Sequence, residues 1–98
     1  MSASSDTAPH ETAAPRHEST VVLPADLHAR PAGKLAQAAG QFSSAVELDH
    51  DGRTVNPTGV LAVMALGATA GSTVVVRAEG ADAEEAVATL AGLLATAE

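Results

Sequence analysis

Apolar and polar positions along this chain recur with two different periods, and the switches between them mark out its elements. Ser19-Thr20-Val21-Val22-Leu23 is a β-branched run that stops at Pro24 and predicts a first strand. From Ala29 to Phe42 the period becomes helical: Ala32, Leu35, Ala39 and Phe42 share one face, and Lys34, Gln37 and Gln41 are left for solvent. Pro31 suits the first turn of that helix, where a missing N–H leaves nothing unpaired. A residue before proline is biased away from helical angles, so distorted backbone is expected at Arg30.

Ala45-Val46-Glu47-Leu48-Asp49 alternates, Asp49-His50-Asp51-Gly52 has turn chemistry, and Arg53-Thr54-Val55-Asn56 resumes an extended pattern; together they predict a hairpin. Gly59 to Leu66 predicts a short helix closed by Gly67. Ser72 to Glu79 sets Val74, Val76 and Ala78 against Thr73, Val75, Arg77 and Glu79, a strand with one buried face. Beyond Gly80, Asp82 is expected to cap a last helix, with Glu85 three residues on in a box-like arrangement and Val87, Leu90 and Leu94 as the core stripe. The order β-α-β-β-α-β-α predicts an α+β domain in which helices cover one face of an antiparallel sheet.

Residues 1–17 show no apolar period and carry Pro9 and Pro15, so a disordered extension is expected there, followed by one domain over residues 18–98. With 98 residues and 46% hydrophobic content the chain can supply a single core, built from Ala, Val and Leu because Phe42 is the only aromatic residue. Without Trp or Tyr there is no platform for base stacking, and a net charge of −7 repels nucleic acid and anionic membrane surfaces. Proteins with complementary surfaces are the expected partners. The absence of cysteine excludes disulfides, thiolate metal sites and a cysteine nucleophile. No run approaches the roughly 20 apolar residues of a membrane helix. The first residues lack the basic-then-apolar order of a secretory signal, so a cytoplasmic location is expected.

Chemistry concentrates at Leu27-His28-Ala29-Arg30-Pro31-Ala32, where a histidine stands just before the first helix and an arginine follows two residues on. A helix N-terminus offers unpaired amides and partial positive charge, and Arg30 adds a fork of donors suited to phosphate oxygens. An anion formed on His28 is thereby held from both sides, and the same charges favour an uncharged, nucleophilic ring. On spacing alone, a histidine that merely occupies a helix cap accounts for these residues equally well.

Leu27-His28-Ala29-Arg30-Pro31-Ala32, Thr54-Val55-Asn56, Val63-Met64-Ala65-Leu66-Gly67 and Gly80-Ala81-Asp82 resemble, in order and spacing, the HPr family of histidine-containing phosphocarriers of the bacterial phosphoenolpyruvate:sugar phosphotransferase system. The resemblance spans about Glu18 to Glu98. It implies an open-faced β-sandwich, with a four-stranded antiparallel sheet and three helices on one face. It further implies that His28 accepts a phosphoryl group on Nδ1 from phospho-enzyme I and passes it to sugar-specific IIA proteins. Ala29 and Arg30 then bind the phosphate. Val60, Leu61 and Met64 form a docking face, Val63 and Leu66 point inward, and simple packing is the competing account of all of them. The protein is expected to act as a monomeric carrier rather than a catalyst, with no cofactor and no metal.

One position departs from the family pattern. Many Gram-positive relatives carry a regulatory serine where this chain has Gly59, and glycine has no hydroxyl to modify. Thr58 is expected to serve as a plain helix cap rather than as a substitute. His10, His17 and His50 lack metal-ligand spacing, and turn preference explains Asp49 and Asp51. Lys34 and Gln37, one turn beyond Arg30, either face solvent or meet an acidic partner. A regulatory binding module of the same fold, or a carrier for a nitrogen-related or dihydroxyacetone branch, remains an open alternative on these residues.

Overall fold

Strands β1 (Arg16–Val22), β2 (Ala45–His50), β3 (Arg53–Val55) and β4 (Thr73–Glu79) alternate with helices α1 (Ala29–Ala39), α2 (Val60–Ala65) and α3 (Ala83–Ala95) in the expected order, in a computed structural model that describes residues 15–98. All pairings are antiparallel and the sheet runs β1-β4-β2-β3, so the first strand lies at one edge and the short β3 at the other. Period-two patterning decides which face is covered. Val21, Val46, Leu48, Val74, Val76 and Ala78 point under the helices and are buried. They meet Ala32, Leu35 and Ala39 of α1, Val63 of α2, and Ala86, Val87, Leu90 and Leu94 of α3 in one continuous core. The other face is open and polar at its centre, where Arg77 reaches Glu18 at 3.4 Å and Asp49 at 3.1 Å.

Several local expectations need correction. Strand β1 starts at Arg16, two residues before the expected domain boundary, because Arg16 and His17 continue the ladder opposite Glu79 and Ala78. Residues 1–14 of the extension expected over residues 1–17 lie outside the described residues. Helix α1 ends at Ala39 with Gly40 as its C-cap, so Phe42 reaches the core from the following turn. Arg30 is part of the helix despite preceding Pro31, and among the described non-glycine residues only Asp51 has positive φ. Asp51 (φ 52°) and Gly52 (φ 81°) form the two-residue hairpin turn, the mirror-image type that matches strand twist.

Asp82 does not cap its own helix. It is the N-cap residue of α3, but its carboxylate turns back to the α1–β2 connection. There it accepts hydrogen bonds from the amides of Ser43 and Ser44, both at 2.9 Å, and from the Ser44 hydroxyl. These distant donors tie two connections together, and the Ala83 amide at the start of α3 donates instead to Gly80 O at 3.2 Å. The Ser44 hydroxyl foremost, and then the Ser43 amide, hold the Asp82 carboxyl below its usual range. A depressed folded-state value means the stabilisation is complete above the unfolded-chain value of about 3.9 and disappears as pH falls through the lower folded value. Asp82→Asn is therefore expected to lower the urea midpoint near neutral pH, and its gap to the wild type to close below about pH 4. A gap that stays constant through that acid range would remove the carboxylate from the account.

Candidate functional site

Strand β1 ends against Pro24, and the loop that follows is laced to the connection between α2 and β4. The Leu23 amide donates to Ser72 O at 2.9 Å, the Gly71 amide to Leu23 O at 2.8 Å, and the Leu27 amide to Ala68 O at 3.2 Å. Leu27 is buried as the loop's anchor. The next residue, His28, then emerges as the N-cap of α1 in extended conformation (φ −73°, ψ −175°), and its side chain makes no capping bond. Its ring is 73% exposed. A histidine placed there only to cap the helix would direct a ring nitrogen at the first-turn amides; this one leaves them to other groups.

Those amides are few and countable. The His28 amide donates to Asp26 O at 3.0 Å, the Ala32 amide donates to His28 O at 2.9 Å, and Pro31 has no N–H. The Ala29 and Arg30 amides are thus the first-turn donors without an intrahelical acceptor. Both residues are exposed, and among the described residues Arg30 takes part in no ion pair. Arg30 and Lys34 line a shallow cleft with Pro31, Leu93, Thr96 and Glu98, where the start of α1 meets the end of α3. An exposed imidazole, two open amides and an uncommitted guanidinium therefore share one end of α1, an arrangement suited to holding a phosphoryl group on the ring.

Sequence reasoning passed over one neighbour. Asp26 Oδ2 lies 3.6 Å from His28 Nε2, and Asp26 Oδ1 accepts from the Ala70 amide at 2.8 Å. The available signal was a carboxylate two residues ahead of the histidine in a short loop, but nothing local placed it beside the ring.

Helix α2 packs against α1. It presents Val60 (38% exposed), Leu61 (80%) and Met64 (41%) to solvent, and buries Val63 and Leu66. Thr58 is not the cap of this helix; Gly59 is. Thr58 donates both its amide and its hydroxyl to Asn56 Oδ1, at 3.0 and 2.8 Å, in a side-chain-closed turn before the helix. Arg53 donates to Ala65 O at the opposite end of α2. The His50 Nδ1 lies 3.1 Å from the Thr73 carbonyl oxygen, a backbone contact that accounts for its position. His17 lies in β1, and His10 falls outside the described residues.

Comparison with known proteins identifies the family. The family described as the PTS HPr component phosphorylation site matches residues 15–96. Phosphocarrier protein HPr of Cupriavidus necator is 39% identical over 80 residues, covering 82% of this chain and 90% of that protein. The crystal structure of HPr from Bacillus anthracis superposes with a TM-score of 0.75 at 34% identity, over 81% of this chain and 96% of the other. The solution structure of Crh, the catabolite repression HPr of Bacillus subtilis, gives a TM-score of 0.71 at 33% identity, over 86% and 100%. A family signature that matches residues 15–96, together with the shared open-faced fold, makes this chain a member of the HPr family of phosphotransferase-system phosphocarriers.

Proposed function

We propose that His28 is the residue on which this protein carries its phosphoryl group, taking it from phospho-enzyme I and passing it to IIA proteins in sugar uptake. The observation that supports this most directly is the exposed His28 ring at the start of α1, beside the uncommitted Arg30. In the uptake step the Nδ1 lone pair forms a bond to phosphorus. The phosphorus–nitrogen bond on the donor's histidine breaks, and its electron pair returns to that ring. Onward transfer runs the same exchange with a IIA histidine as acceptor. Arg30 and the Ala29 and Arg30 amides offset the charge on the phosphoryl oxygens during both exchanges. Nothing is consumed or released by the carrier itself, so it acts as a shuttle between enzymes.

Val60, Leu61 and Met64 supply the docking face in this reading. An exposed apolar strip is costly to keep in water, and a flexible methionine adapts to more than one partner surface. In this reading the protein works as a monomer in the cytoplasm. Among the described residues no helix is long and apolar enough to cross a membrane. Gly59, with no hydroxyl, weighs against the serine-switched regulatory alternative.

Incubation with enzyme I, Mg²⁺ and phosphoenolpyruvate is expected to load one acid-labile phosphoryl group, which a IIA protein then removes. Arg30→Glu places a negative charge where phosphate oxygens gather and is expected to slow loading about a hundredfold. Far-UV circular dichroism of that variant stays unchanged, because Arg30 is exposed and outside the core. Wild-type loading rates in Arg30→Glu would take the guanidinium out of the step.

A further inference from the structure

The transfer step described above leaves Asp26 unused, although its carboxylate is the charged group nearest the far side of the ring. Its two oxygens have different duties. Oδ1 is fixed by the Ala70 amide at 2.8 Å, and this fixes where Oδ2 sits, 3.6 Å from His28 Nε2. The Ala70 loop is itself fastened to the His28 loop through Leu23, Leu27 and Gly71, so the carboxylate and the ring are carried on one clamped unit. At 3.6 Å no hydrogen bond forms, but a full negative charge still acts on the ring at that range.

We propose that Asp26 is a positioning residue for His28: its charge keeps the ring proton on Nε2, leaves the Nδ1 lone pair open to phosphorus, and stabilises the positive charge the ring gains on phosphorylation. The inference rests on the carrier reading of His28. A neutral imidazole has one proton for two nitrogens, and a carboxylate facing one of them favours the proton there. When the Nδ1 electron pair enters the new bond and the donor's bond to phosphorus breaks, the Nε2 proton stays in place. The phosphorylated ring is then formally cationic, with Asp26 opposite the charge. When an acceptor takes the phosphoryl group, the bonding pair returns to Nδ1 and a neutral ring is left, its proton still on Nε2. No proton enters or leaves the couple in either direction.

Asp26 also carries the charge of a phosphate repellent, and the ring geometry limits that effect. The two ring nitrogens point apart, so a carboxylate on the Nε2 side acts on the ring more strongly than on oxygens attached through Nδ1. Those oxygens have Arg30 and the first-turn amides to face. The opposing actions leave a phosphoryl group that is held but easily surrendered, as a carrier requires.

Asp26→Asn tests the charge while keeping an oxygen for the Ala70 amide. In the full-length chain labelled with ¹⁵N-histidine, His28 is expected to be mostly the Nε2–H form in the wild type and to shift toward Nδ1–H in the variant. Loading from phospho-enzyme I should slow by about fivefold, and unassisted hydrolysis of the phosphorylated protein near neutral pH should speed up by a similar factor, the effect of one unit charge at this distance in a watery setting. Asp26→Glu, which restores the charge, should bring both rates partway back to those of the wild type. A purely structural role predicts the opposite signature: faster amide exchange at Ala70 and an unaltered ring tautomer. Should the wild type load normally while Asp26→Asn matches it in tautomer, loading and hydrolysis, the proposal is overturned and the carrier reading stands. Should the wild type itself take up no phosphoryl group, the carrier reading fails and takes this inference with it.

Discussion

His28→Ala is expected to abolish phosphoryl loading altogether, with no residual acid-labile phosphate after prolonged incubation with enzyme I and phosphoenolpyruvate. The expectation is absolute because, in the proposed function, the group lost is the one that forms the bond to phosphorus. The other described histidines stand elsewhere: His50 sits in β2 beside the Thr73 carbonyl, and His17 is in the edge strand. Neither has the open amides of a helix start beside it. The substitution should leave the fold intact, since the ring is exposed, makes no capping bond and belongs to no part of the core. Alanine is a poorer capping residue than polar ones, but this histidine contributes no capping bond to lose. Loading that persists in a correctly folded His28→Ala protein would move the acceptor to another residue.

The largest effect on stability is expected at Gly80. It sits at the end of β4 with φ +148°, a conformation that side-chain-bearing residues rarely adopt. A Cβ there would lie 2.6 Å from Ser44 Oγ and 2.7 Å from Ser44 Cα. The second contact is with backbone, so no rotation of the serine side chain relieves it. Ser44 cannot retreat easily either, because its amide and hydroxyl are engaged by Asp82. Backbone strain of about 1–3 kcal/mol and overpacking of about 1–3 kcal/mol together place Gly80→Ala about 2–6 kcal/mol below the wild type. Against a typical total of about 5–15 kcal/mol, that is a large share, and a thermal midpoint lower by more than about 10 °C is expected. With no tryptophan or tyrosine in the chain, far-UV circular dichroism is the appropriate probe. A midpoint within about 2 °C of the wild type would mean that the turn relaxes at little cost.

Most of the fold was legible because periodicity reports directly on burial. Val74, Val76 and Ala78 lie buried on alternate positions as their pattern demands, and Val87, Leu90 and Leu94 form the inner stripe of α3. The hairpin followed from Asp51-Gly52 because few residue pairs accept positive φ twice in succession. What escaped was whatever depends on distant chain. Asp82 has the local appearance of a capping residue, yet its partners Ser43 and Ser44 lie 39 and 38 positions away. Arg16 and His17 have no strand-like character of their own and become strand because β4 extends far enough to pair with them. The same holds for the candidate site. His28 and Arg30 stand out from their spacing beside a helix start, whereas Asp26 owes its place near the ring to Ala70, 44 positions along. Thr58 fails to cap for a different reason, since its hydroxyl donates to Asn56 Oδ1 instead of accepting from the first-turn amides of α2.

The placement of the basic side chains has a consequence for how this protein meets others. Of the five, Arg16 pairs with Glu79, Arg77 with Glu18 and Asp49, and Arg53 caps a helix carbonyl, which leaves Arg30 and Lys34, on successive turns of α1, without an ion pair among the described residues. A body with a net charge of −7 thus wears its free positive charge at the end where His28 sits, making the molecule electrically lopsided. An acidic surface attracts that end and repels the remainder, so in the proposed function such a partner meets the His28 end first, and added salt erodes the advantage.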